Sequence, residues 1–521
     1  MAAKWWCVEY ERELVIRTAG ALPVVAKLAE KLGIVEVVDR FCRVRSVAEY
    51  THGQVVLALV ANRLTHPRPL SSFEEWGDEF AVAETLGIAS GKLNDDRLGR
   101  TLDALAEQLA EVLNVIARRA VERFGISIAE LHWDLTHLAF TGSFDKQEEG
   151  YPQVRKGRTP EQTVVRQVRT GLLVSEDGAV PLLAESFDGG HADVSSVEPA
   201  LARLDALREG LPDRDQPPLV VGDSKLLSAG NVRAFETRRL RFVCPHPKDG
   251  PMKRRLAAVQ EETLLPLAYR PERHKQAEPR YLAHEDELTI AQVALRALYV
   301  LSLDDRDAAR AQRERQLGRA EQEIATLNRG VPERRRTAAD VERRARTILE
   351  RRRVESFIRL ALTEQHGHPQ AQIERDQDAI SQAETLDGRY CLVSNDHTLN
   401  ADELFAAYKR QHLVEGRFAH FKGPLAVRPV FLHNNRRITA LVGVISLALL
   451  LYGLIERTVR NGLQTLRTDE RRLLQKQIGR ATGRKILDQL RTLTAVRVRD
   501  GPLRLAQPRP AQQLLLRLLE V

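Results

Sequence analysis

The first 125 residues repeat apolar side chains at the spacing of a helix. Leucines recur every three or four positions, as at Leu98, Leu102 and Leu105, and this spacing places them on one helical face. Asn94 comes shortly before this run and is followed by two aspartates. Its side-chain oxygen is expected to cap the helix, while the aspartates suit the positive end of the helix dipole. The pattern predicts a helical domain over residues 1–125.

Alternating and β-branched residues then replace the helical spacing. Residues 127–140, 162–174 and 179–186 are typical of strands, and Ser-Glu-Asp-Gly at 175–178 predicts a turn between the second and the third. A helix, a short apolar strand, a second helix and a further strand are predicted next. This order predicts an α/β domain over residues 126–249. The last four predicted elements cover residues 197–207, 218–222, 231–239 and 241–244.

Residues 250–385 are rich in Arg, Glu, Ala and Gln, a composition typical of long helices. We therefore predict a mostly helical, arginine-rich insertion. Its arginine clusters between residues 334 and 353 alternate with Glu and Asp. Two interpretations stay open, namely a face that binds nucleic-acid phosphates and a solvated helix whose charges pair with one another.

Residues 386–465 are predicted to close the α/β core. A strand pattern comes first, followed by a helix, a short strand and a long apolar helix. The remaining chain, residues 466–521, is basic and helical in pattern and predicts a C-terminal tail. The four predicted closing elements cover residues 388–394, 402–421, 429–432 and 436–457.

One stretch of the chain is apolar enough to raise the question of a membrane. Residues 438–455 carry no charge and reach the lower length limit of a spanning helix. Thr439, Gly443 and Ser446 dilute the run, and no other segment of the sequence resembles it. We therefore predict a helix buried in a large core, with a membrane-anchored protein as the alternative.

The overall charge and the cysteines narrow the class of protein. The chain has 521 residues, with 79 Lys and Arg against 71 Asp and Glu. This modest excess of positive charge suits a polyanionic partner without requiring one. The four cysteines are far apart and form no CxxC pair, which argues against a disulfide framework and a structural zinc site. Free thiols, and an N-terminus without an apolar signal core, lead us to expect a cytoplasmic protein.

Two aspartates stand in predicted strands. Asp134 lies within the apolar strand His-Trp-Asp-Leu-Thr, where an acidic side chain is costly to bury unless it is paired or binds a metal. Asp223 ends the short strand Val-Val-Gly-Asp, the usual position of a ligand-facing residue in an α/β sheet. Taken singly, each residue also fits a local role as a cap or a turn residue.

A third candidate group begins in the helix predicted over residues 402–421 and continues to the next residue, Lys422. Its members lie on one helical face at 3.6 residues per turn. This face combines a phenol, an amide, a carboxylate and an ammonium group, which does not suit a plain apolar core. A solvated surface is the simpler alternative when the segment is considered alone. The group consists of Tyr408, Gln411, Glu415 and Lys422, at intervals of three, four and seven residues.

Taken together, these segments resemble the DDE transposases of bacterial insertion sequences, in the branch with a Tyr-Arg-Glu-Lys (YREK) signature around its glutamate. The order of strand aspartate, strand-end aspartate, large insertion and helix glutamate is similar. Tyr408, Glu415 and Lys422 fall on the spacing of the signature. Gln411 stands where the family has Arg, and Arg410 is next to it. Further segments that resemble the family are Leu93–Arg100, Asp387–Tyr390 and Val427–Val430.

The resemblance implies a ribonuclease H-like catalytic core with a helical insertion, preceded by an all-α domain that binds DNA or mediates dimer contacts. It implies that Asp134, Asp223 and Glu415 are the catalytic residues and hold two Mg²⁺ ions, for which Mn²⁺ can substitute. Carboxylate oxygens are the ligands that such hard cations prefer. The residues implied to bind DNA are Tyr408, Arg410, Gln411 and Lys422.

The activity that the family implies is DNA transposition. The enzyme would cut DNA at the terminal inverted repeats of its element, and the freed 3′-hydroxyl would then attack target DNA. Because two element ends must be cut together, a homodimer in a synaptic complex is expected. This complex would work at the nucleoid in a bacterial cytoplasm, without a membrane.

Other functions stay open at this point. The alternatives are a catalytically inactive or domesticated DNA-binding relative on the same fold, another ribonuclease H-like nuclease such as a junction resolvase, and the membrane-anchored protein. A metal site formed by His132, Asp134 and His137 is a further alternative for the first strand. No other zinc-site spacing lies near these residues in the sequence.

Overall fold

The computed structural model describes residues 14–521 apart from short internal segments. The chain divides into two compact units. Unit 1 contains the described residues up to Arg241 together with Lys409–Val521, and unit 2 is the intervening segment Phe242–Tyr408. The internal segments outside the described residues are 45–47, 143, 145–147, 160–162, 213–214, 271–277, 331–336, 424, 426–431, 433, 499–500 and 502.

Two expectations from the sequence fall on these segments. The family-like segment Val427–Val430 lies wholly outside the described residues. The strand predicted over residues 429–432 lies outside them except for Leu432. Both therefore stay predictions.

Helices make up most of the first part of unit 1, after one short strand. The elements are β1 (Leu14–Thr18), α1 (Leu22–Leu32), α2 (Ile34–Phe41), α3 (His52–Thr65), α4 (Phe73–Glu79), α5 (Val82–Leu86) and α6 (Asp95–Phe124). Asn94 caps α6 as predicted, because its side-chain oxygen accepts a 2.9 Å hydrogen bond from the amide of Arg97. The strand β1 was not predicted, so the first 125 residues are not wholly helical.

The sheet of unit 1 is built around the strand that carries Asp134. The elements are β2 (Glu130–Ala139), β3 (Arg155–Arg158), β4 (Val164–Ser175), β5 (Pro181–Phe187), α7 (Val197–Arg208), β6 (Leu219–Val221) and α8 (Ala229–Thr237). β4 pairs antiparallel with β2, and both β3 and β5 pair antiparallel with β4. After α7, β6 pairs in parallel with β2. Unit 1 thus contains a mixed α/β arrangement, in which β3 is a strand that the sequence pattern did not predict.

The last part of the chain completes unit 1. Its elements are α14 (His412–Lys422), α15 (Asn435–Gly462), α16 (Thr468–Ile478), α17 (Gly483–Leu490), β14 (Thr494–Val498), β15 (Arg504–Leu505) and α18 (Pro510–Leu518). β14 pairs antiparallel with both β1 and β15. The tail predicted as basic and helical over residues 466–521 contains three helices, and the alternating segment around residue 496 adds a strand to a small sheet.

The apolar segment of the chain forms α15. By length and composition this helix could cross a membrane, but 94% of its most apolar window is buried inside the protein. It packs against α3, α6 and β5. A helix that is apolar around its whole circumference belongs in the core of a large protein or in a membrane, and here unit 1 covers it. The predicted core helix is confirmed.

Unit 2 contains a sheet as well as helices. Its elements are β7 (Arg241–Pro245), α9 (Gly250–Ala258), β8 (Leu265–Pro266), β9 (Tyr281–Ile290), β10 (Val293–Ser302), α10 (Leu303–Arg329), α11 (Ala338–Arg352), β11 (Ile358–Gln365), β12 (His368–Arg375), α12 (Gln377–Glu384), β13 (Arg389–Ser394) and α13 (Ala401–Lys409). β13 pairs antiparallel with β7 and β10, and β9 joins β10 to β8.

The strands of unit 2 correct the prediction that residues 250–385 are mostly helical. β9 and β10 form a hairpin whose turn residues, Ala291 and Gln292, both have positive φ angles of 53° and 68°. Such a turn is usually marked by Gly, Asn or Asp, which adopt the left-handed conformation readily. Because neither residue is of that kind, the sequence around the hairpin carries no turn signal.

The arginine-rich helices of unit 2 are laced with ion pairs. α10, α11 and the hairpin of β11 and β12 share a small core of their own. Asp340 pairs with Arg344 at 3.0 Å, and Glu342 pairs with Arg346 at 2.7 Å. Glu323 of α10 pairs with two further arginines of α11. The described arginines of this stretch that are named above therefore pair with nearby carboxylates, as in the second interpretation. Residues 334–336 lie outside the described residues.

A glycine on β4 allows β2 to pack against it. Gly171 lies opposite Leu135 in the register of the two strands. A Cβ atom on Gly171 would lie 2.1 Å from Cη2 of Trp133, and the Trp133 side chain is buried. The indole therefore occupies the space that any larger residue at position 171 would need.

Replacing this glycine should destabilise unit 1. We expect Gly171→Ala to lower the free energy of unfolding by about 1–3 kcal/mol, because the indole of Trp133 must leave its position. Gly416→Ala on α14 is the matched control, since no described atom lies within 4 Å of its added methyl group; this change should stabilise the helix by up to about 1 kcal/mol. Thermal denaturation measures both, and a wild-type midpoint for Gly171→Ala would contradict the packing.

Candidate active site

The register of two parallel strands brings the predicted aspartates together. Because successive side chains alternate across a strand, Glu130, His132 and Asp134 share one face of β2. β6 runs in parallel beside it, with His132 paired to Val221. Continuing this register by two residues puts Asp223 level with Asp134. The register therefore directs both aspartates to the same end of the two strands, just beyond β6, and the charge of Asp223 acts on Asp134.

Asp134 has a strongly raised pKa. One of its carboxylate oxygens accepts a 2.8 Å hydrogen bond from the amide of Leu135. Burial is the main reason why the pKa of Asp134 is raised to about 7. The negative charges of Asp223, Glu415 and Asp193 add to this increase. Asp134 is thus close enough to both other predicted carboxylates to be affected by their charge.

Asp223 combines a local role with an exposed carboxylate. Its side chain accepts a 2.9 Å hydrogen bond from the amide of Lys225 and caps the 3₁₀ turn Ser224–Leu226. The residue is solvent-exposed on one side, yet the surrounding protein desolvates the carboxyl group and raises its pKa, and Asp193 contributes in the same direction. Asp223 therefore has the capping role considered from the sequence. Only one of its two carboxylate oxygens accepts the hydrogen bond from Lys225.

The helix predicted over residues 402–421 is interrupted. α13 ends at Lys409 and α14 begins at His412, with Arg410 and Gln411 in a turn between them. The predicted continuous face from Tyr408 to Lys422 is therefore wrong. Tyr408 belongs to unit 2, where its ring centroid lies 6.1 Å from that of Tyr390.

Gln411 connects α14 to the backbone and side chains of β2. Its amide nitrogen donates a 3.0 Å hydrogen bond to the carbonyl oxygen of Trp133, and its amide oxygen lies 3.2 Å from Nδ1 of His132. The other ring nitrogen of His132, Nε2, lies 3.0 Å from the carboxylate of Glu130. Both ring nitrogens of His132 therefore contact side chains of unit 1. Gln411 fixes the start of α14 over the strand that carries Asp134.

Arg410 reinforces the same junction through an ion pair. Its Nε and one terminal nitrogen donate to the two oxygens of Glu130 at 2.6 and 2.5 Å. Burial opposes ionisation of Glu130, but the hydrogen bonds from His132 and Arg410 outweigh it and lower the pKa of Glu130 to about 2. The described contacts of Arg410 and Gln411 thus lie within unit 1, and their predicted contacts with DNA stay predictions.

A second anchor, Arg417, holds the middle of α14. This arginine is 4% exposed, and it donates hydrogen bonds to the carbonyl oxygens of Ala179 at 2.6 Å and Gly178 at 2.8 Å in the turn between β4 and β5. It also pairs with the buried carboxylate of Glu456 at 3.2 Å. Arg417 therefore has two carbonyl acceptors and a carboxylate partner, and it was not a candidate from the sequence.

Glu415 lies between the two anchors on the solvent side of α14. Its side chain is exposed, and its charge acts on Asp134. Lys422 is partly buried at the last turn of the same helix. The structure thus brings the charge of Glu415 close enough to act on Asp134. The predicted role of Lys422 in DNA binding stays a prediction.

A fourth carboxylate and an arginine accompany the predicted three. Asp193 starts the 3₁₀ turn after β5 and forms an ion pair with Arg169 of β4. Its charge raises the pKa of both Asp134 and Asp223, whereas Arg169 lowers that of Asp223. Neither residue was a candidate from the sequence, because Asp193 lies in a loop without a strand or helix pattern. Its position after a predicted strand of the core is the signal that was available.

The donor set suits a hard divalent cation. The candidate ligands are carboxylate oxygens, and the described cysteines, Cys42, Cys244 and Cys391, are buried free thiols elsewhere. Among the described residues, no three Asp, Glu, His or Cys side chains are placed as a complete set of metal ligands. The repulsion at Asp134 is nevertheless what a bound cation would relieve. The residues therefore fit Mg²⁺ in chemistry and charge, without a formed ligand geometry.

The alternative metal site of His132, Asp134 and His137 is not supported. His132 is fully buried and both of its ring nitrogens contact side chains of the protein. His137 lies on the opposite face of β2 from Asp134, because an odd number of residues separates them. The two histidines therefore do not converge on the carboxylate.

Comparisons with known proteins give one sequence match and remote structural matches. The domain of unknown function DUF4277 matches residues 14–118. No curated protein matches the chain in sequence. The synaptic complex of piggyBac transposase with hairpin DNA is similar over 85% of this chain and 76% of that chain, at 9% identity and a TM-score of 0.39. The Mos1 mariner paired-end complex with Mn is similar over 38% and 60%, at 11% identity and a TM-score of 0.16. Structural similarity at these TM-scores does not establish the fold or the activity of this chain.

The raised pKa of Asp134 predicts how stability changes with pH. The folded protein holds a proton on Asp134 up to about pH 7, whereas the unfolded chain loses it near pH 4. Stability of the metal-free protein should therefore fall as pH rises through this window, by at most about 1.4 kcal/mol per pH unit. Asp134→Asn should show a flatter profile in thermal denaturation between pH 4.5 and 8. If stability changed with pH equally in the two proteins, the raised pKa of Asp134 would be contradicted.

Gln411 is expected to tolerate arginine poorly, although the family has arginine there. Gln411→Arg would place a positive charge beside the ring of His132 and would remove the amide oxygen that contacts this ring. We expect a loss of about 1–3 kcal/mol in the free energy of unfolding. Gln475→Arg, at an exposed position on α16, is the control and should change stability little. Equal denaturation midpoints for both variants would contradict the role given to Gln411.

Proposed function

We propose that this chain is a DNA transposase that cuts and joins DNA with Asp134, Asp223 and Glu415. One observation carries the proposal. The two aspartates lie level on neighbouring parallel strands, and Glu415 comes from a helix held across the same strand, with both charges acting on Asp134. Three segments that are distant in the sequence thus supply the carboxylates that the resemblance to DDE transposases requires.

The chemistry proposed for the site is phosphodiester cleavage followed by strand transfer. Two Mg²⁺ ions, or Mn²⁺ in their place, would neutralise charge on the phosphate and activate the attacking oxygen. The oxygens of Asp134, Asp223 and Glu415 would hold these ions. In the first reaction, water forms a new bond to phosphorus and the bond to the 3′-oxygen breaks, which frees a 3′-hydroxyl. In the second, this hydroxyl attacks a target phosphate, and a 3′-oxygen of the target strand leaves.

We propose different roles for the residues that surround the carboxylates. Arg410 and Gln411 hold the start of α14 against β2, so we assign them to the positioning of Glu415. Lys422 and Tyr408 are assigned to contacts with DNA phosphates. The substrates would be the terminal inverted repeats of an insertion sequence and the target DNA, joined by a homodimer in a bacterial cytoplasm.

The test is cleavage of labelled DNA that carries the ends of the element, with Mg²⁺ or Mn²⁺. Asp134→Ala, Asp223→Ala and Glu415→Ala should each lower cleavage by at least about a thousandfold while DNA binding persists. Asp215→Ala, an exposed aspartate just before β6, is the matched control and should cleave normally. A cleaving Glu415→Ala protein would refute the assignment of that ligand.

The same experiment separates the active transposase from its alternative. A catalytically inactive DNA-binding relative would bind the element ends and leave them uncut with either metal. Metal-dependent nicking by the wild type that all three variants lack would support the transposase. The contribution of the metal is checked by adding a chelator, which should stop cleavage by the wild type and the Asp215→Ala control alike.

A further inference from the structure

Unit 1 contains a second concave site, away from the three carboxylates. This cavity has a volume of about 270 Å³ and lies among the ends of α3, α14 and α17 and the middle of α15. Its wall combines apolar groups, among them Leu64 and Phe80, with several basic side chains. We refer to it as the Arg63 cavity, after its most buried basic residue.

Arg63 is a buried cation that lacks a counter-charge. The residue is 3% exposed, and its Nε atom has no hydrogen-bond partner. In the part of the chain that the structure describes, Arg63 forms no ion pair with a carboxylate. Burial lowers the pKa of Arg63 to about 10, so the guanidinium stays charged at neutral pH. A buried charge without a partner is costly, and proteins seldom retain one without a ligand or a function.

The rest of the cavity adds positive charge. Arg484 and Arg491 also line it, and Asp488 contributes the one carboxylate of its described lining. Burial and the charge of nearby Arg417 lower the pKa of His420, so this histidine adds no charge at neutral pH. Three guanidinium groups thus face one carboxylate.

Hydrogen bonds fix the polar part of the wall. The hydroxyl group of Tyr452 accepts a 2.7 Å hydrogen bond from the amide of Arg484 and lies 3.2 Å from Nε2 of His420. Arg417, which anchors α14, lies over the Tyr452 ring at 5.5 Å. The cavity is therefore a built site rather than a gap between mobile side chains, and it adjoins the last turn of the helix that carries Glu415.

We propose that the Arg63 cavity binds the phosphate of a nucleotide, with Arg63 as the buried anchor. A guanidinium group matches a phosphate because its planar donors form paired hydrogen bonds with two oxygens. The volume exceeds the needs of a phosphate alone, and the apolar wall with the Phe80 ring leaves room for an attached sugar or base. The nucleotide belongs either to a DNA strand or to a free mononucleotide. The possibility that the nucleotide belongs to DNA rests on the proposed function, whereas the binding of a phosphate group does not.

Thermal denaturation of the full-length protein tests the phosphate site without DNA or divalent metal. At constant ionic strength, replacing chloride by inorganic phosphate or thymidine monophosphate should raise the melting temperature of the wild type by about 2–4 °C. Arg63→Met should abolish this shift, and it should melt higher than the wild type in chloride because an unpaired buried charge is removed. Arg472→Met, at an exposed position on α16, should keep the shift.

Two further variants protect the test against a folding defect at position 63. Arg484→Gln and Arg491→Gln change exposed residues and should each reduce the shift while the protein stays folded. If Arg63 were merely structural, Arg63→Met would melt lower in chloride and all other variants would keep the full shift. That result would overturn the proposal, as would a wild type that responds to neither phosphate nor the mononucleotide.

The salt dependence of DNA binding identifies where the phosphate comes from. If it belongs to DNA, the slope of log affinity against log salt should decrease by about one for Arg63→Met and stay unchanged for Arg472→Met. An unchanged slope together with a persistent shift from thymidine monophosphate assigns the cavity to a free nucleotide. A wild type that shows the shift but does not bind DNA would refute the proposed function and leave the phosphate site standing.

Discussion

The attachment of α14 across β2 is the constraint on which the site depends. Glu415 is separated from Asp134 and Asp223 by the whole of unit 2 along the chain. The charges of Asp223 and Glu415 both disfavour ionisation of Asp134, so these carboxylates do not hold the helix in place themselves. Gln411 and Arg417 do so instead, by binding backbone carbonyl oxygens on two different parts of the sheet. The position of Glu415 therefore follows from hydrogen bonds made by residues that take no part in the proposed chemistry.

The buried carboxyl group of Asp134 lowers the stability of the fold. A buried carboxyl group whose pKa is raised to about 7 by burial and by its neighbours makes the metal-free fold less stable at neutral pH. Clusters of groups with perturbed pKa values are typical of functional sites, although structural ion-pair networks also produce them. Here Glu130 provides the contrast, because His132 and Arg410 compensate its charge and lower its pKa. On one face of one strand, the partners of Glu130 lower its pKa, whereas the surroundings of Asp134 raise its pKa.

The same contrast applies to the buried arginines. Arg417 donates to two carbonyl oxygens and pairs with Glu456, so its charge is part of the packing of unit 1. Arg63 is buried to the same extent without an ion pair in the described part of the chain. The exposed arginines of α11 differ from both, because they form ion pairs with nearby carboxylates at the solvent-exposed surface of the helix. Charge content alone therefore says little about binding; the pairing of each charge decides what it can bind.

Elements with a local sequence pattern could be predicted from the amino-acid sequence alone. The N-cap at Asn94, the strand around Asp134 and the turn before Gly178 follow from the conformational preferences of a few neighbouring residues, and so does the long apolar helix. The three carboxylates were found because their order along the chain resembles a known family. Local patterns failed where a turn lacked its usual residues, as at Ala291 and Gln292. They also failed where a helix was broken, as at Arg410 and Gln411. Three other features could not be predicted before the fold was known: the register of β6 on β2, the anchoring of α14 by Arg417, and the contrast between Arg417 and Arg63. Each of these features depends on which segments, distant in the sequence, pack against one another. The same packing determines whether a buried charged side chain has a partner of opposite charge.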